Sequence, residues 1–377
     1  MSTASDITTS EPTAPGVMSR ASMLVCVAAI VLVVALFAGP RYGLLLLIGL
    51  GFGLALEGFR FGFTGPWRRM ILARDPSGLI AQLVCIGIVA MAAFPLLAAN
   101  GAELKGAHAP IGMAMIGGAF VFGACMQLVL GCGSGTLINA GSGNAVGAVA
   151  LPFFAIGSFA GAYHLSWWTS LGSLPIMTLS GTDGLMVTLA GLVALAGLAF
   201  LLRAKGTFHM PARYVGAIVV LAGLAILHLV VAGQPWGVVY GLGLWVAKGV
   251  VAVGGDLSGS TFWAAPANAA QVEASLLTDI TSLTDLGLIG GAALVAWWRA
   301  GLASPAGKLP ARAWLAVIVA GLVLGYSSRL AFGCNIGAFF SGIGTGSAHG
   351  WVWFVAAFAG SWAGIRLRPY LGLEARR

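Results

Sequence analysis

Two cysteines in this chain stand in glycine-rich runs that otherwise carry hydroxyls and amides. The first run is Gly131-Cys132-Gly133-Ser134-Gly135-Thr136-Leu137-Ile138-Asn139-Ala140-Gly141-Ser142-Gly143-Asn144. The second is Gly333-Cys334-Asn335-Ile336-Gly337-Ala338-Phe339-Phe340-Ser341-Gly342. A thiol is a weak and polarizable donor, suited to a soft terminal sulfur. Ser134, Thr136, Ser142, Asn139, Asn144 and Asn335 add harder donors. Helix does not run easily through so much glycine, and backbone N–H groups freed by a break favour an anion. Arg329 and Lys248 lie inside apolar runs with no carboxylate close in sequence. Charges placed inside a membrane mark functional sites by default.

Other chemistries fit these residues poorly. The cysteines have neither C-x-x-C spacing nor neighbouring His or carboxylate companions, and H-E-x-x-H is absent. A metal centre or a thiol hydrolase needs such partners. No metal, no cofactor and no enzymatic activity is therefore expected. The five cysteines do not form the framework of a disulfide-stapled domain. No nucleotide-binding motif appears, and no carboxylate relay for protons stands out in the apolar runs.

The elements that must position these residues follow from composition. Of 377 residues, 59% are hydrophobic and 8% charged, against about 25% charged in soluble domains. Most of the surface must therefore meet lipid. The net charge of +8 forms no stripe for nucleic acid; the basic residues sit at the ends of apolar runs. Runs near the ~20-residue spanning length predict helices over 21–38, 42–57, 79–99, 111–130, 146–163, 184–202, 214–232, 236–253, 277–298, 313–332 and 350–366. Residues 1–20 read as a disordered tail and 21–41 as a retained first helix rather than a cleaved signal.

Lys and Arg gather in 57–78 (Arg60, Arg68, Arg69, Arg74), 203–213 (Arg203, Lys205, Arg213), 299–312 (Arg299, Lys308, Arg312) and the 369–377 tail with Arg376 and Arg377. These segments, read as loops, belong in the cytoplasm.

An ordered series of matches links two stretches. Gly131-Cys132 falls on Gly333-Cys334, and Gly157-Ser158-Phe159-Ala160-Gly161 falls on Gly360-Ser361-Trp362-Ala363-Gly364. Gly53-Leu54-Ala55-Leu56 matches Gly241-Leu242-Gly243-Leu244. The expected organisation is a first half over 42–166, connecting helices over 167–235 and a second half over 236–368. The 111–130 and 313–332 helices run in opposite senses under the charge rule. The fold class is thus an all-α polytopic membrane protein, an inverted-repeat bundle of about 9–11 spans with two re-entrant or broken Gly-Cys segments. Transporters of this plan bind solute near the midplane.

Plainer readings stand beside these. Gly157, Gly161, Gly360 and Gly364 also fit simple close helix packing. Cys26 and Cys85 read as small hydrophobes. Arg329 reads either as an anion partner or as a structural cap, and His349 as a polar loop residue.

The run Ser328-Arg329-Leu330-Ala331-Phe332-Gly333-Cys334-Asn335-Ile336-Gly337-Ala338-Phe339-Phe340-Ser341-Gly342-Ile343 closely resembles a signature of the YeeE/YedE sulfur-transport family. Leu130-Gly131-Cys132-Gly133-Ser134-Gly135-Thr136 resembles its other Gly-Cys signature, and the stretch from Gly53 to Thr64 resembles a segment that carries a further cysteine. The resemblance covers roughly 42–366. It implies a bacterial inner-membrane transporter for thiosulfate or a related sulfur-containing anion, handed inward by hydrogen bonds to cysteine thiols. A selenium species, or an intramembrane persulfide redox role, is the alternative it leaves. It also implies a small soluble sulfur-carrier protein as a cytoplasmic partner. Cys132 and Cys334 match two family cysteines; the third falls at Gly62, a departure that implies an altered path, a different substrate, or compensation by Cys125 or Cys85. The expected path residues are Gly131, Cys132, Gly133, Ser134, Thr136, Gly333, Cys334, Asn335, Arg329, Lys248 and Cys125. A conducting thiol must stay protonated, which apolar surroundings favour, and several weak contacts in series allow passage without trapping.

Overall fold

The computed structural model describes residues 17–300 and 309–374. Lys308, Arg376, Arg377 and residues 1–16 of the expected tail lie outside the described residues. The described chain is helical, with two isolated β-bridges, Gly112 to Ser173 and Thr178 to Ser347.

In order, the helices are α1 (Val17–Phe37), α2 (Pro40–Gly58), α3 (Thr64–Ala73), α4 (Ser77–Ala99), α5 (Met113–Val129), α6 (Gly133–Gly141), α7 (Ala145–Tyr163), α8 (Leu165–Thr169), α9 (Gly181–Leu201) and α10 (Ala212–Ala232). There follow α11 (Val239–Ala252), α12 (Pro266–Glu273), α13 (Ile280–Ala300), α14 (Ala311–Leu330), a π-helical segment over Asn335–Phe340, α15 (Ser341–Gly344) and α16 (Ala348–Leu367). Among the described residues, nine helices or broken helices are long and apolar enough to cross a bilayer. The protein is a multi-pass, all-α membrane protein. Each apolar run read from sequence contains a helix; the 236–253 run yields only the 14-residue α11. The 57–78 segment is not simply a loop. It folds α3, whose Trp67 is fully buried and donates Nε1–H to Gln82 Oε1 at 3.0 Å.

Helix is forced on these segments because lipid offers the backbone no hydrogen-bond partner. What then packs one helix on another is the absence of side chains. Pro95 and Pro152 are accommodated inside α4 and α7. The tightest seams run between α14 and α7, α16 and α5, and α13 and α2. In the first, Gly157 faces the Leu322 carbonyl, Gly325 faces the Phe154 carbonyl, and a Cβ on Gly161 would stand 2.5 Å from the Tyr326 oxygen. In the second, Gly360 faces the Phe120 carbonyl, Gly123 that of Ala357 and Gly364 that of Ala124. In the third, a Cβ on Gly49 or Gly287 would come within 2.5 Å of the Thr284 or Leu46 carbonyl oxygen. The close-packing reading of Gly157, Gly161, Gly360 and Gly364 is the one the seams bear out, as expected where dispersion rather than water drives association. Ser361 Oγ donates across the second seam to the Gly123 carbonyl at 3.2 Å.

Gly360→Ala is expected to destabilise the protein by about 1–3 kcal/mol, the weight of an overpacked contact. Gly223 in α10 has nothing within 4 Å of its Cβ direction, so Gly223→Ala leaves stability unchanged or raises it by up to about 1 kcal/mol. Thermal unfolding in detergent, comparing the two variants, checks both.

Candidate functional site

The two Gly-Cys runs build the same local structure twice. Helix α5 ends on Leu130 in the left-handed region (φ 55°), and the end of α14 runs out on Phe332 at the same φ. A non-glycine residue there costs about 1–2 kcal/mol. Each turn is closed by a bond from the following glycine five residues back: Gly131 N–H to Met126 O at 3.1 Å, and Gly333 N–H to Ser328 O at 2.9 Å. Gly333 itself sits at φ 149°, where a Cβ would meet the Ala338 nitrogen at 2.7 Å. Cys132 and Cys334 come next in extended conformation, each as the N-cap of a new helical segment. Their carbonyls restart the ladder, accepting from Thr136 N–H at 2.9 Å and Ala338 N–H at 2.8 Å.

The two turns meet. A Cβ on Gly133 would stand 2.8 Å from Cys334 Sγ, so the second thiol lies against the backbone beside the first. Both cysteines are fully buried. The Cys132 thiol pairs with Ser134 Oγ at 3.5 Å, and Thr136 Oγ1 donates to the Cys132 carbonyl at 2.8 Å. The Thr64 hydroxyl, on the neighbouring α3, donates to Met126 Sδ at 3.9 Å.

A cavity opens toward each end of the bundle. The first, about 860 Å³, is lined by Tyr42 and Ile280 at the starts of α2 and α13, by Arg329 and by Gly333, Cys334 and Gly337. The second, about 490 Å³, is lined by Glu57 and Arg299 at the other ends of those helices, and by Arg60, Gly62, Thr64 and Gly135. They share no lining residue. Between them lies a septum made by the two turns, with Cys132 in neither cavity. Glycine at Gly337 and Gly62 leaves open space where a side chain would project.

Charge and orphaned polarity concentrate at the septum. Arg329 makes no ion pair among the described residues. Its guanidinium lies over the rings of Phe262 (4.6 Å) and Tyr240 (5.8 Å), and its buried Nε–H has no acceptor. Asn335, next to Cys334, is fully buried with both amide atoms unpaired. Buried polar groups are nearly always satisfied, so these two point to a polar occupant. Lys105 adds positive charge to the first cavity against Asp279; Arg60 and Arg299 outnumber Glu57 in the second.

The structure thus brings Gly131, Cys132, Gly133, Ser134, Thr136, Gly333, Cys334, Asn335 and Arg329 to one place. It does not bring Lys248 there: its Nζ donates to the Val272 carbonyl at 2.8 Å and to that of Ala274, closing the end of α12. Cys125 is buried in α5 and lines neither cavity. His349 is no loop residue; it is buried in the first turn of α16 with Nδ1 bonded to Ser347 Oγ at 2.6 Å. Two residues escaped sequence reasoning. Thr64 carried only the signal of lying two positions after Gly62. Asp285, fully buried in α13, is an intramembrane carboxyl that was passed over when no proton relay stood out.

Residues 59–363 match the family profile described as sulphur transport. The chain belongs to that family. Over 349 residues, 84% of this chain, it is 28% identical to the thiosulfate transporter TsuA of Spirochaeta thermophila and covers 96% of that protein. Over 98 residues it is 37% identical to the probable transporter YedE of Escherichia coli, covering 26% of this chain and only 24% of that protein. The match to the Salmonella typhimurium YedE is of the same extent, at 35% identity.

Within this sulphur-transport fold, Gly62→Cys is expected to leave thermal stability unchanged, since the added atoms enter open cavity. The new thiol reacts with a polar maleimide in the folded protein, whereas Cys132 reacts only after unfolding. Mass-spectrometric mapping of the label checks this; labelling of Cys132 in the native state contradicts the septum.

Proposed function

We propose that this chain imports thiosulfate or a closely related sulfur-containing anion across the bacterial inner membrane, passing it between the thiols of Cys334 and Cys132. The observation that carries the reading is the contact of the two Gly-Cys turns in the septum between oppositely facing cavities. Similarity to TsuA along nearly the whole of both chains supports thiosulfate as the substrate.

The cavity lined by Arg60 and Arg299 faces the cytoplasm, and with it the C-terminus, as the distribution of Lys and Arg supports. The anion enters the larger, opposite cavity under the attraction of Arg329 and Lys105. Its oxygens replace the missing partners of Arg329 Nε and the Asn335 amide, and its soft terminal sulfur takes the Cys334 thiol. Crossing Gly133 brings it to Cys132, Ser134 and Thr64, and from there it reaches the space beside Gly62. Each contact is weak and the next donor is adjacent, which lets binding and release proceed in series. No bond to the substrate is made or broken, so the chain acts as a transporter and not an enzyme. A soluble sulfur carrier takes the ion at the mouth formed by Glu57, Arg60 and Arg299.

Packing supports two inverted halves. The pair α5 with α16 answers the pair α14 with α7, α3 with α4 answers α11 with α13, and α6 with α13 answers α15 with α4. Leu130, ending α5, lines the Arg299 cavity, while Phe332, just past α14, lines the opposite one.

Cys334→Ala is expected to abolish labelled-thiosulfate counterflow in proteoliposomes while the protein still inserts and elutes as a single species. Arg329→Gln raises the half-saturating concentration about tenfold, the weight of one charge-assisted hydrogen bond. Sulfate and selenite run in parallel define the substrate; undiminished counterflow in Cys334→Ala would falsify the thiol relay.

A further inference from the structure

Asp285 is fully buried in α13, inside a span, and neither carboxyl oxygen has a hydrogen-bond partner. It makes no ion pair among the described residues. A carboxyl that serves only to hold helices together keeps its partners. An unpaired carboxylate shut away from water is strongly unfavourable, so with the septum closed the group rests as the neutral acid and gives up its proton only when water reaches it.

Its position is specific. Thr281, one turn earlier on the same helix face, lines the larger cavity, and so does Asp279, whose Oδ1 accepts from Ser282 N–H at 2.6 Å. Cys334 lines the same cavity as Asp279 and Thr281. Gly241 on α11 makes room for the carboxyl: a Cβ there would stand 2.9 Å from Oδ2. One turn further on, the Ile289 carbonyl packs on Gly141 of α6, and Ala296 and Arg299 line the opposite cavity. Helix α13 therefore connects both cavities with one ionisable group between its ends.

The titratable and charged groups on the elements around it are few. On α2 they are Arg41, which donates to the Val231 and Ala232 carbonyls, with Tyr42 beside it and Glu57 at the other end; on α11, Tyr240 and Lys248; on α10, Arg213 and Tyr214 at its start and His228, bonded to Thr284 Oγ1 at 3.3 Å. The septum adds Cys132, Cys334 and Arg329. None of them hydrogen-bonds Asp285.

We propose that Asp285 carries a proton inward with each anion, making uptake proton-coupled. The proton comes from water in the larger cavity past Asp279 and Thr281, binds one Asp285 oxygen, and leaves to water on the opposite side. Binding of the anion beside Cys334 and binding of the proton are linked, since a negative charge in the septum favours the protonated acid; the proton leaves once the anion has moved on. The coupling rests on the transport reading above and eases its main difficulty, that an anion enters a negatively charged interior: one proton offsets one of the two charges of a dianion.

The test uses the full chain in proteoliposomes with membrane potential clamped. Thiosulfate counterflow without a pH gradient is measured first, then net uptake with and without an inward proton gradient, with an internal pH dye as second readout. Wild type is expected to take up thiosulfate faster under the gradient, with internal acidification that follows the anion and disappears with a protonophore. Asp285→Asn is expected to keep counterflow and lose both responses. Wild-type counterflow with no response to the gradient overturns the coupling alone. Absence of wild-type counterflow overturns the transport reading and the coupling with it. An Asp285→Asn protein that still responds to the gradient, or that loses counterflow as well, overturns the assignment of Asp285.

Discussion

Every feature of this protein answers to one constraint: backbone that leaves the helix inside a bilayer must find its partners within the protein. The two Gly-Cys turns are such backbone, and each meets the constraint by the same device. A left-handed residue closes the incoming helix, a glycine N–H reaches back five residues, and a cysteine carbonyl starts the next segment. The turns can lie against each other because Gly133 offers no side chain to Cys334. They are kept at that depth by helices whose glycines admit a neighbouring carbonyl. Side-chain volume is left out wherever the fold must close tightly. The thiols then lie beside the unpartnered amide of Asn335 and Nε–H of Arg329.

Charge follows from the same closure. With the septum shut, both amide atoms of Asn335 and the Nε–H of Arg329 are buried without a partner, while the Arg329 side chain also lines the larger cavity. For a dianion, entry against a potential of 100 mV costs roughly 4.6 kcal/mol, two charges at about 2.3 each. A fixed guanidinium lowers the local barrier but leaves that overall difference untouched. On the proposed reading, therefore, the attraction of Arg329 and the source of driving force are separate problems with separate residues.

The helices were legible because each apolar run is long and nearly free of charge; in lipid, length and composition decide most of the matter. The Gly-Cys breaks were legible too, since glycine at that density does not continue a helix. The 57–78 segment was not. Four arginines made it read as a solvated loop, but Trp67 and Gln82 satisfy one another in the interior and pull α3 in with them. Lys248 carried the same sequence signal as Arg329, an isolated cation in an apolar run. Only the fold reveals that α12 ends beside it and supplies carbonyls. Asp285 shares its run with Asp279 and the hydroxyls of Thr281, Ser282 and Thr284, so sequence alone does not set it apart as an isolated intramembrane charge.

The two hollows never join, and this has a bearing on the cell that contains the protein. Among the described residues none lines both, so in this conformation small cations find no open file to follow. The bilayer stays electrically tight around a structure whose interior is polar. Any ion that does pass must shed its hydration shell at the partition, which ties throughput to rearrangement of a few side chains rather than to diffusion.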